Sequence, residues 1–126
     1  MAGYIKIEDL FVYQISTELC DLAWEMYKPM DWRDKKTMGD QFLTSVDSNA
    51  ANIVEGYGRY HYLDKVRFYI NARASLMESK HWATLMHKRG KITDEQFKLF
   101  ISKNENVHFH LNDYINITRR QKDIKS

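Results

Sequence analysis

Chain-breaking residues are scarce in this sequence, and their scarcity constrains the fold more than any other feature. The 126 residues include one proline and five glycines. Folds built from short strands need many turn residues, whereas long helices need few. Hydrophobic residues make up 44% and charged residues 29%, as in ordinary globular domains, and the length suits one core. We therefore predict a single all-α domain over residues 1–126.

Apolar residues recur at three- and four-residue steps in four segments, which is the spacing of one helical face. The predicted helices are approximately residues 8–28, 37–57, 62–88 and 93–120. Pro29 ends the first, Gly58 ends the second and Gly90 ends the third, while Thr93 and Gln96 form a capping box that opens the fourth. Short connections favour an antiparallel, up-and-down four-helix bundle. Residues 119–126 are a polar tail that we expect to fray.

The second and third helices carry different apolar patterns. The stripe of the second helix is Met38, Phe42, Val46, Asn49 or Ala50, Ile53 and Tyr57. The apolar residues of the third are Val66, Tyr69, Ile70, Ala74, Met77, Trp82, Leu85 and Met86. They surround much of that helix, which therefore needs burial on more than one side, and this predicts a homo-oligomer. In the polar connector from Pro29 to about Lys36, a short helical start at Asp31 would let Trp32 pack inward.

One polar motif stands out within the second helix. Ser48, Asn52 and Glu55 are spaced at four and three residues, so they share a face, and Gly56 beside them permits a close helix contact. A buried carboxylate beside an amide could bind a ligand or act in acid–base chemistry. The structural alternative, which we favour, is that these groups bond to neighbouring helices or subunits, with Arg59 or Arg73 pairing with Glu55.

At this motif the chain resembles the four-helix bundle proteins encoded in intervening sequences of bacterial large-subunit (23S) ribosomal RNA genes. Residues 48–59, Ser-Asn-Ala-Ala-Asn-Ile-Val-Glu-Gly-Tyr-Gly-Arg, are similar to the family's Ser-Ile-Pro-Ala-Asn-Ile-Ala-Glu-Gly stretch. Residues 7–14, Gln41 and residues 73–78 resemble further family segments in the same order. Ala50 and Ala74 depart from the pattern, standing where the family has proline and glycine.

The resemblance implies a four-helix bundle, often a ring-shaped homopentamer, with no established catalytic activity. It also implies a possible nucleic-acid partner, because relatives are suspected of binding RNA or DNA. These implications concern assembly and partners. Whether the chain can catalyse a reaction or bind a metal depends on its own side chains.

The residues offer little for catalysis or metal binding. Cys20 is the only cysteine, and it sits on an amphipathic helix as a small apolar residue. His108 and His110 project about 200° apart on a helix, and the Glu-x-x-His unit of di-iron bundles does not occur. The glycines at 56 and 58 end a helix, where the dipole disfavours phosphate. We predict a protein that is not an enzyme, without catalytic residues, metal or cofactor.

Charge and hydropathy bear on location and partners. The net charge of +2 neither requires nor excludes a nucleic-acid partner. The N-terminus lacks the pattern of a signal peptide, and no apolar run reaches the ~20 residues that span a bilayer. We expect a cytoplasmic protein with no membrane contact.

Two basic segments are candidates for binding RNA or DNA. The first mixes cations and aromatics at the junction of helices two and three: Arg59, Tyr60, Lys65 and Arg67. The second is the tail, with Arg119, Arg120 and Lys122. Such residues contact phosphates and stack on bases, but they are equally compatible with a solvated surface on a structural or protein-interaction scaffold. A ring of identical chains would repeat each patch and so strengthen phosphate binding.

Overall fold

Four long helices make up most of the computed structural model, which describes residues 5–125 and the side chains of residues 5–121. They are α1 (Phe11–Tyr27), α2 (Asp40–Tyr57), α3 (Tyr62–Lys88) and α4 (Asp94–Lys125). A 3-10 turn over Ile7–Asp9 precedes α1. The described residues contain no strand. The all-α helical bundle expected from the sequence is therefore confirmed.

Side-chain pairs between helices show that the helices alternate in direction. The pairs are Ser16–Asn49 and Tyr27–Asp40 for α1 and α2, Arg73–Asn112 and His87–Asp94 for α3 and α4, and Phe11–His110 for α1 and α4. Within each hairpin, a residue early in one helix meets a residue late in the next. The fourth helix packs back against the first, so the four helices enclose one core.

The core is formed by residues at three- and four-residue spacing on every helix. The largest fully buried apolar side chains are Leu19, Phe42, Val46, Ile53, Tyr69, Leu76, Met86, Phe100, Val107, Leu111 and Ile115. On α3, however, the buried face also runs through small residues, Ala72, Ser79 and Ala83, and Met77 and Ala74 are exposed. The small residues allow neighbouring helices to pack closely against this face of α3. Met77 lies on a different side of the helix, which no neighbouring helix in the described residues covers.

The connector between α1 and α2 is shorter than the sequence suggests. The side chain of Asp31 accepts a 2.8 Å hydrogen bond from the Asp34 amide and caps a helical turn at Trp32–Asp34. A π-helical segment, Lys35–Gly39, then leads directly into α2. The expected inward packing of Trp32 is wrong, because the interior at this end is filled by methionines, including the buried Met38, and Trp32 stays in solvent.

The C-terminal helix is longer than expected from the polar composition of its end. It continues to Lys125, so the predicted tail from residue 119 lies within α4 as far as the structure describes it. That segment contains neither proline nor glycine, and the Arg, Lys and Gln residues in it are good helix formers. Ser126 lies outside the described residues.

Candidate interaction surfaces

Within residues 48–59, which contain the polar motif of α2, the buried polar residue is Asn49. Ser16 of α1 donates a 2.6 Å hydrogen bond from its Oγ to Asn49 Oδ1, and Asn49 Nδ2 donates to the Val46 carbonyl at 2.7 Å. Both Ser16 and Asn49 are fully buried. Because each of these polar groups has a hydrogen-bond partner inside the protein, the pair fixes the register of α1 against α2. These groups are therefore not free to bind a ligand.

The other polar residues of the motif do not form a buried cluster. Asn52 Nδ2 donates to the Ser48 carbonyl one turn earlier, at 2.8 Å. The expected burial of Glu55 is wrong: it is exposed because it lies two residues, or about 200°, around the helix from the buried Ile53. Its partner is Arg59 at 3.4 Å, a surface ion pair.

Arg73, the alternative partner, is engaged on another face of the bundle. Its guanidinium donates a 2.8 Å hydrogen bond to Asn112 Oδ1 of α4. The structure therefore does not bring Arg73 together with Glu55.

Gly56 lies in the contact between α2 and α3, directly against Phe68 and Tyr69. A Cβ atom at this position would lie 2.7 Å from Tyr69 Cε1 and 3.0 Å from Phe68 Cβ. Such distances are shorter than van der Waals contact, so only glycine fits without a shift. The motif is therefore a packing motif at this point, with its small residue fixing the distance between two helices.

A second buried polar contact, which the sequence reading missed, joins α3 and α4. Asn104 Nδ2 donates to Ser79 Oγ at 3.0 Å and to the Leu76 carbonyl at 3.1 Å. The available signal was that Asn104 falls at helical spacing between Phe100 and Val107, both of which are buried. The α1–α2 hairpin and the α3–α4 hairpin thus each contain a serine–asparagine hydrogen bond in their core.

The cations at the α2–α3 junction are largely bound within the protein. Lys65 donates from Nζ to the Tyr57 carbonyl at 2.8 Å and caps the end of α2, and burial lowers the pKa of Lys65. Arg59 lies over the Phe68 ring at 4.6 Å in addition to pairing with Glu55.

The remaining junction residues differ in how open they are. Arg67 pairs with Asp64 at 3.3 Å on the surface. Tyr60 is the most open of the candidates, with 88% of its surface exposed and its ring against His61. At the junction, the ring of Tyr60 is therefore open to solvent. The cations, in contrast, are already paired with other groups of the protein.

The two basic segments lie at the same end of the bundle. Tyr69 of α3 packs against Tyr114 of α4, with ring centroids 5.1 Å apart. Arg119 follows Tyr114 by five residues and Asp64 precedes Tyr69 by five, so antiparallel packing places Arg119 level with the first turn of α3. Arg119 and Arg120 are exposed, whereas the side chain of Lys122 lies outside the described residues.

An apolar stripe runs along the outer surface of α3. Its residues are Leu63, Ile70 and Met77, which are seven residues apart and therefore share one face. Leu63 is 61% exposed and Met77 is 62% exposed, while Ile70 is half-buried. These three residues are called the α3 stripe below.

Aromatic and cationic side chains meet at the opposite end of the molecule, around the α1–α2 connection. Trp24 stacks on Tyr27 with ring centroids 5.7 Å apart, and Lys35 Nζ lies 4.8 Å from the centre of the Tyr27 ring. Arg33 lies over the ring of Trp32 at 5.5 Å. These five residues are called the α1–α2 aromatic surface. The sequence reading missed it because Trp32 was expected to pack inward.

Two further reactive groups, Cys20 and His108, have pKa values that are shifted by burial. Burial, reinforced by the negative charge of Asp47, raises the pKa of the Cys20 thiol to about 12, so the thiolate that would act as a nucleophile is strongly disfavoured. Burial lowers the pKa of His108, with Arg73 adding to the effect. Among residues 5–121, no three His, Cys, Asp or Glu side chains are grouped as metal ligands would be. No helix in the described part is both long and apolar enough to cross a membrane.

Comparisons with known proteins give a family model that matches most of the chain and a solved structure with the same fold. The family model described as "23S rRNA-intervening sequence protein" matches residues 8–113. A crystal structure of a protein with unknown function from the S23 ribosomal protein family of Bacteroides thetaiotaomicron VPI-5482 superimposes with a TM-score of 0.77 at 24% identity, covering 82% of this chain and 97% of that one. At this identity the likeness shows a shared fold. None of the curated proteins matches the chain.

Proposed function

Because the chain belongs to the 23S rRNA-intervening sequence protein family, we propose that it is a non-enzymatic helical-bundle protein that assembles with copies of itself. The observation that carries the proposal is the α3 stripe. A bundle that functioned alone would gain nothing from two large apolar side chains that are more than half exposed on one helical face.

The spacing of the stripe fits a helical partner. Residues seven apart stay on one side of a helix and can pack against a helix of a second copy. Burying one leucine or methionine side chain stabilises a contact by about 1.5–3 kcal/mol, so the stripe of each subunit makes a useful contribution to an interface. Closed rings repeat one such contact around an axis, and we propose a ring-like homo-oligomer, with the pentamer that the family resemblance implies.

Light scattering combined with gel filtration tests this assembly. The unmodified protein is expected to elute as an oligomer at micromolar concentration, and the double variant Leu63→Glu/Met77→Glu as a folded monomer, because the interface would have to bury two unpaired charges. Val54→Glu is the matched control, since Val54 is an exposed apolar residue on a different helix. A wild-type monomer, or an oligomer that survives the double substitution, would contradict the proposal.

Binding of RNA or DNA at the end of the bundle is the second candidate function. It is favoured by the position of Arg119 and Arg120 at the same end of the bundle as the exposed ring of Tyr60, because cations bind phosphates and an open ring can stack on a base. The internal ion pairs of Arg59 and Arg67 weaken it. We therefore rank it below self-assembly.

Salt-dependent titration separates the two functions. Labelled RNA and DNA would be titrated at several salt concentrations with the wild type and with Arg119→Ala/Arg120→Ala. If this end binds phosphates, the double variant should bind more weakly and its salt slope should fall by about 1 per lost contact. Lys88→Ala/Lys98→Ala, at the opposite end of α3 and α4, is the control with the same change in charge. Equal affinities of the two variants would argue against binding at this end.

A further inference from the structure

We propose that the α1–α2 aromatic surface is a stacking site for single-stranded nucleic acid. The site consists of Trp24, Tyr27 and Trp32, which would stack on bases, and of Arg33 and Lys35, which would bind the phosphates between them. It lies at the end of the bundle away from the basic segments considered above, and it does not include the α3 stripe.

The exposure of the two tryptophans is the first argument. Trp32 is 69% exposed and Trp24 is 51% exposed. The remaining tryptophan, Trp82, is half-buried and donates its Nε1 hydrogen to Glu78. Indole rings bury more apolar surface than almost any other side chain, so leaving two of them in solvent within nine residues gives up stabilisation. Such exposure indicates a surface that is covered when the protein binds a partner.

The aromatic faces are held in place before any partner arrives. The hydroxyl of Tyr27 donates a 2.6 Å hydrogen bond to Asp40 Oδ1, which fixes the ring. Gly39 in the π-helical segment leaves room for that ring, since a Cβ atom there would lie 3.2 Å from Tyr27 Cδ1. Trp24 stacks on the fixed ring. Little conformational entropy would therefore be lost when a base stacks here.

Two cations of the surface, Arg33 and Lys35, are free to meet an anion. Three nearby acidic side chains have partners outside the surface: Glu25 with Lys28 at 2.5 Å, Asp34 with Lys91 at 3.4 Å, and Asp31 as a helix cap. Asp40 is the exception, because it accepts the hydrogen bond of Tyr27 at the surface itself. Among the described side chains, Arg33 and Lys35 form no ion pair and rest against aromatic rings. Cations in this setting are available to a phosphate, and the rings beside them to a base.

These features together select one kind of partner. Every base has a face that stacks on an aromatic ring, worth about 1–3 kcal/mol for each base, and cations follow the backbone. A single strand is favoured over a duplex because its bases are free to leave their own stack.

Anisotropy titrations with labelled oligouridylate and oligothymidylate of about ten nucleotides test the proposal. Wild-type protein should bind both at low salt. Trp24→Ala/Trp32→Ala should weaken binding at least tenfold, because two stacking contacts are lost. Phe109→Ala is the control, since Phe109 is 69% exposed but lies on α4. Arg33→Gln/Lys35→Gln should keep the stacking and flatten the salt dependence.

Tryptophan fluorescence tests directly whether the oligonucleotide binds next to Trp24 and Trp32. In Trp82→Phe, the emission comes from Trp24 and Trp32 alone, and it should be quenched as the oligonucleotide is added. Absence of binding at low salt, or affinity unchanged by Trp24→Ala/Trp32→Ala, would overturn the site. So would a change in oligomeric state in that variant, because the surface would then hold a second copy of the chain.

Failure of the stacking proposal and failure of the self-assembly proposal would give different results. The monomer expected from Leu63→Glu/Met77→Glu should still quench on binding a short oligonucleotide, because the two surfaces share no residue. If binding is instead lost only in Arg119→Ala/Arg120→Ala, nucleic acid binds at the other end of the bundle and the α1–α2 aromatic surface is not the site.

Discussion

Individual residues show where sequence patterns identify burial and where they do not. Asn49 was placed in the apolar stripe of its helix, as an alternative to Ala50, and both are buried. Its partner could not be read from spacing along the helix, because Ser16 is 33 residues away on another helix. The interpretation of Ser48, Asn52 and Glu55 as one polar cluster relied only on spacing within the helix, which does not show which neighbour covers that face.

Removing the hydroxyl of Ser16 should destabilise the protein through its partner. In Ser16→Ala, Asn49 Oδ1 stays buried without a donor, and we expect the free energy of unfolding to fall by about 1–3 kcal/mol. Urea denaturation measures the change. Thr17→Ala is the control, because Thr17 bonds within its own helix near the surface, and it should cost less. A loss in Ser16→Ala no greater than in Thr17→Ala would show that the buried bond contributes little.

Gly56→Ala and Gly58→Ala form a matched pair of glycine substitutions. The new Cβ at position 56 would lie 2.7 Å from Tyr69, and we expect a net loss of about 1–3 kcal/mol in the free energy of unfolding. At position 58 the nearest atom would be 3.6 Å away and the backbone is right-handed, so alanine should be neutral or stabilise by up to about 1 kcal/mol. Similar effects of the two substitutions would contradict the close packing of α2 on α3.

The end of a helix could be predicted where the residues that cap it are close together in the sequence. The capping box is confirmed: the Gln96 amide donates to Thr93 Oγ1 at 3.0 Å, and the Thr93 amide donates to Gln96 Oε1 at 2.9 Å. The start of the second helix was less clear, because the π-helical segment at Lys35–Gly39 changes the repeat that a 3.6-residue pattern assumes.

The start of α4 should be sensitive to acid. His87 Nε2 lies 2.6 Å from Asp94 Oδ1, and this hydrogen bond lowers the pKa of Asp94 in the fold. A lowered carboxyl pKa stabilises the protein above the unfolded value of about 4, and the contribution disappears as pH falls through the lower folded value. Asp94→Asn should therefore reduce the urea midpoint at pH of about 5.5 and leave it equal to wild type well below pH of about 3. An equal difference at both pH values would rule out this titration.

At the scale of the molecule, four stripes of core residues were sufficient to predict a bundle, since each stripe can be read within its own helix. The outward faces were harder. The apolar residues of α3 were predicted to surround much of the helix, but which of them lie outside, as Met77 does, depends on packing between distant segments. Function depends on those outward faces, so the candidate surfaces were less predictable than the fold.

Thermal unfolding should depend on protein concentration if the α3 stripe lies in a subunit interface. Association favours the folded chain by mass action, so Tm should rise as the concentration is raised. In Leu63→Glu/Met77→Glu, Tm should be the same at all concentrations, whereas Val54→Glu should behave like the wild type. Calorimetry over a hundredfold range of concentration provides the measurement. A wild-type Tm that does not change would place the stripe on the surface of a monomer.

The two serine–asparagine bonds restrict how this protein can move. Sliding one helix past its neighbour by a single turn, about 5.4 Å, would carry Asn49 away from Ser16 or Asn104 away from Ser79 and leave an amide in an apolar interior. Lengthwise shear within either hairpin is therefore costly, while bending at the connections breaks neither bond. Conformational changes on binding a ligand or a neighbouring subunit should therefore occur at the ends of the bundle. The middle of the α1–α2 hairpin and the middle of the α3–α4 hairpin should each move as a rigid body.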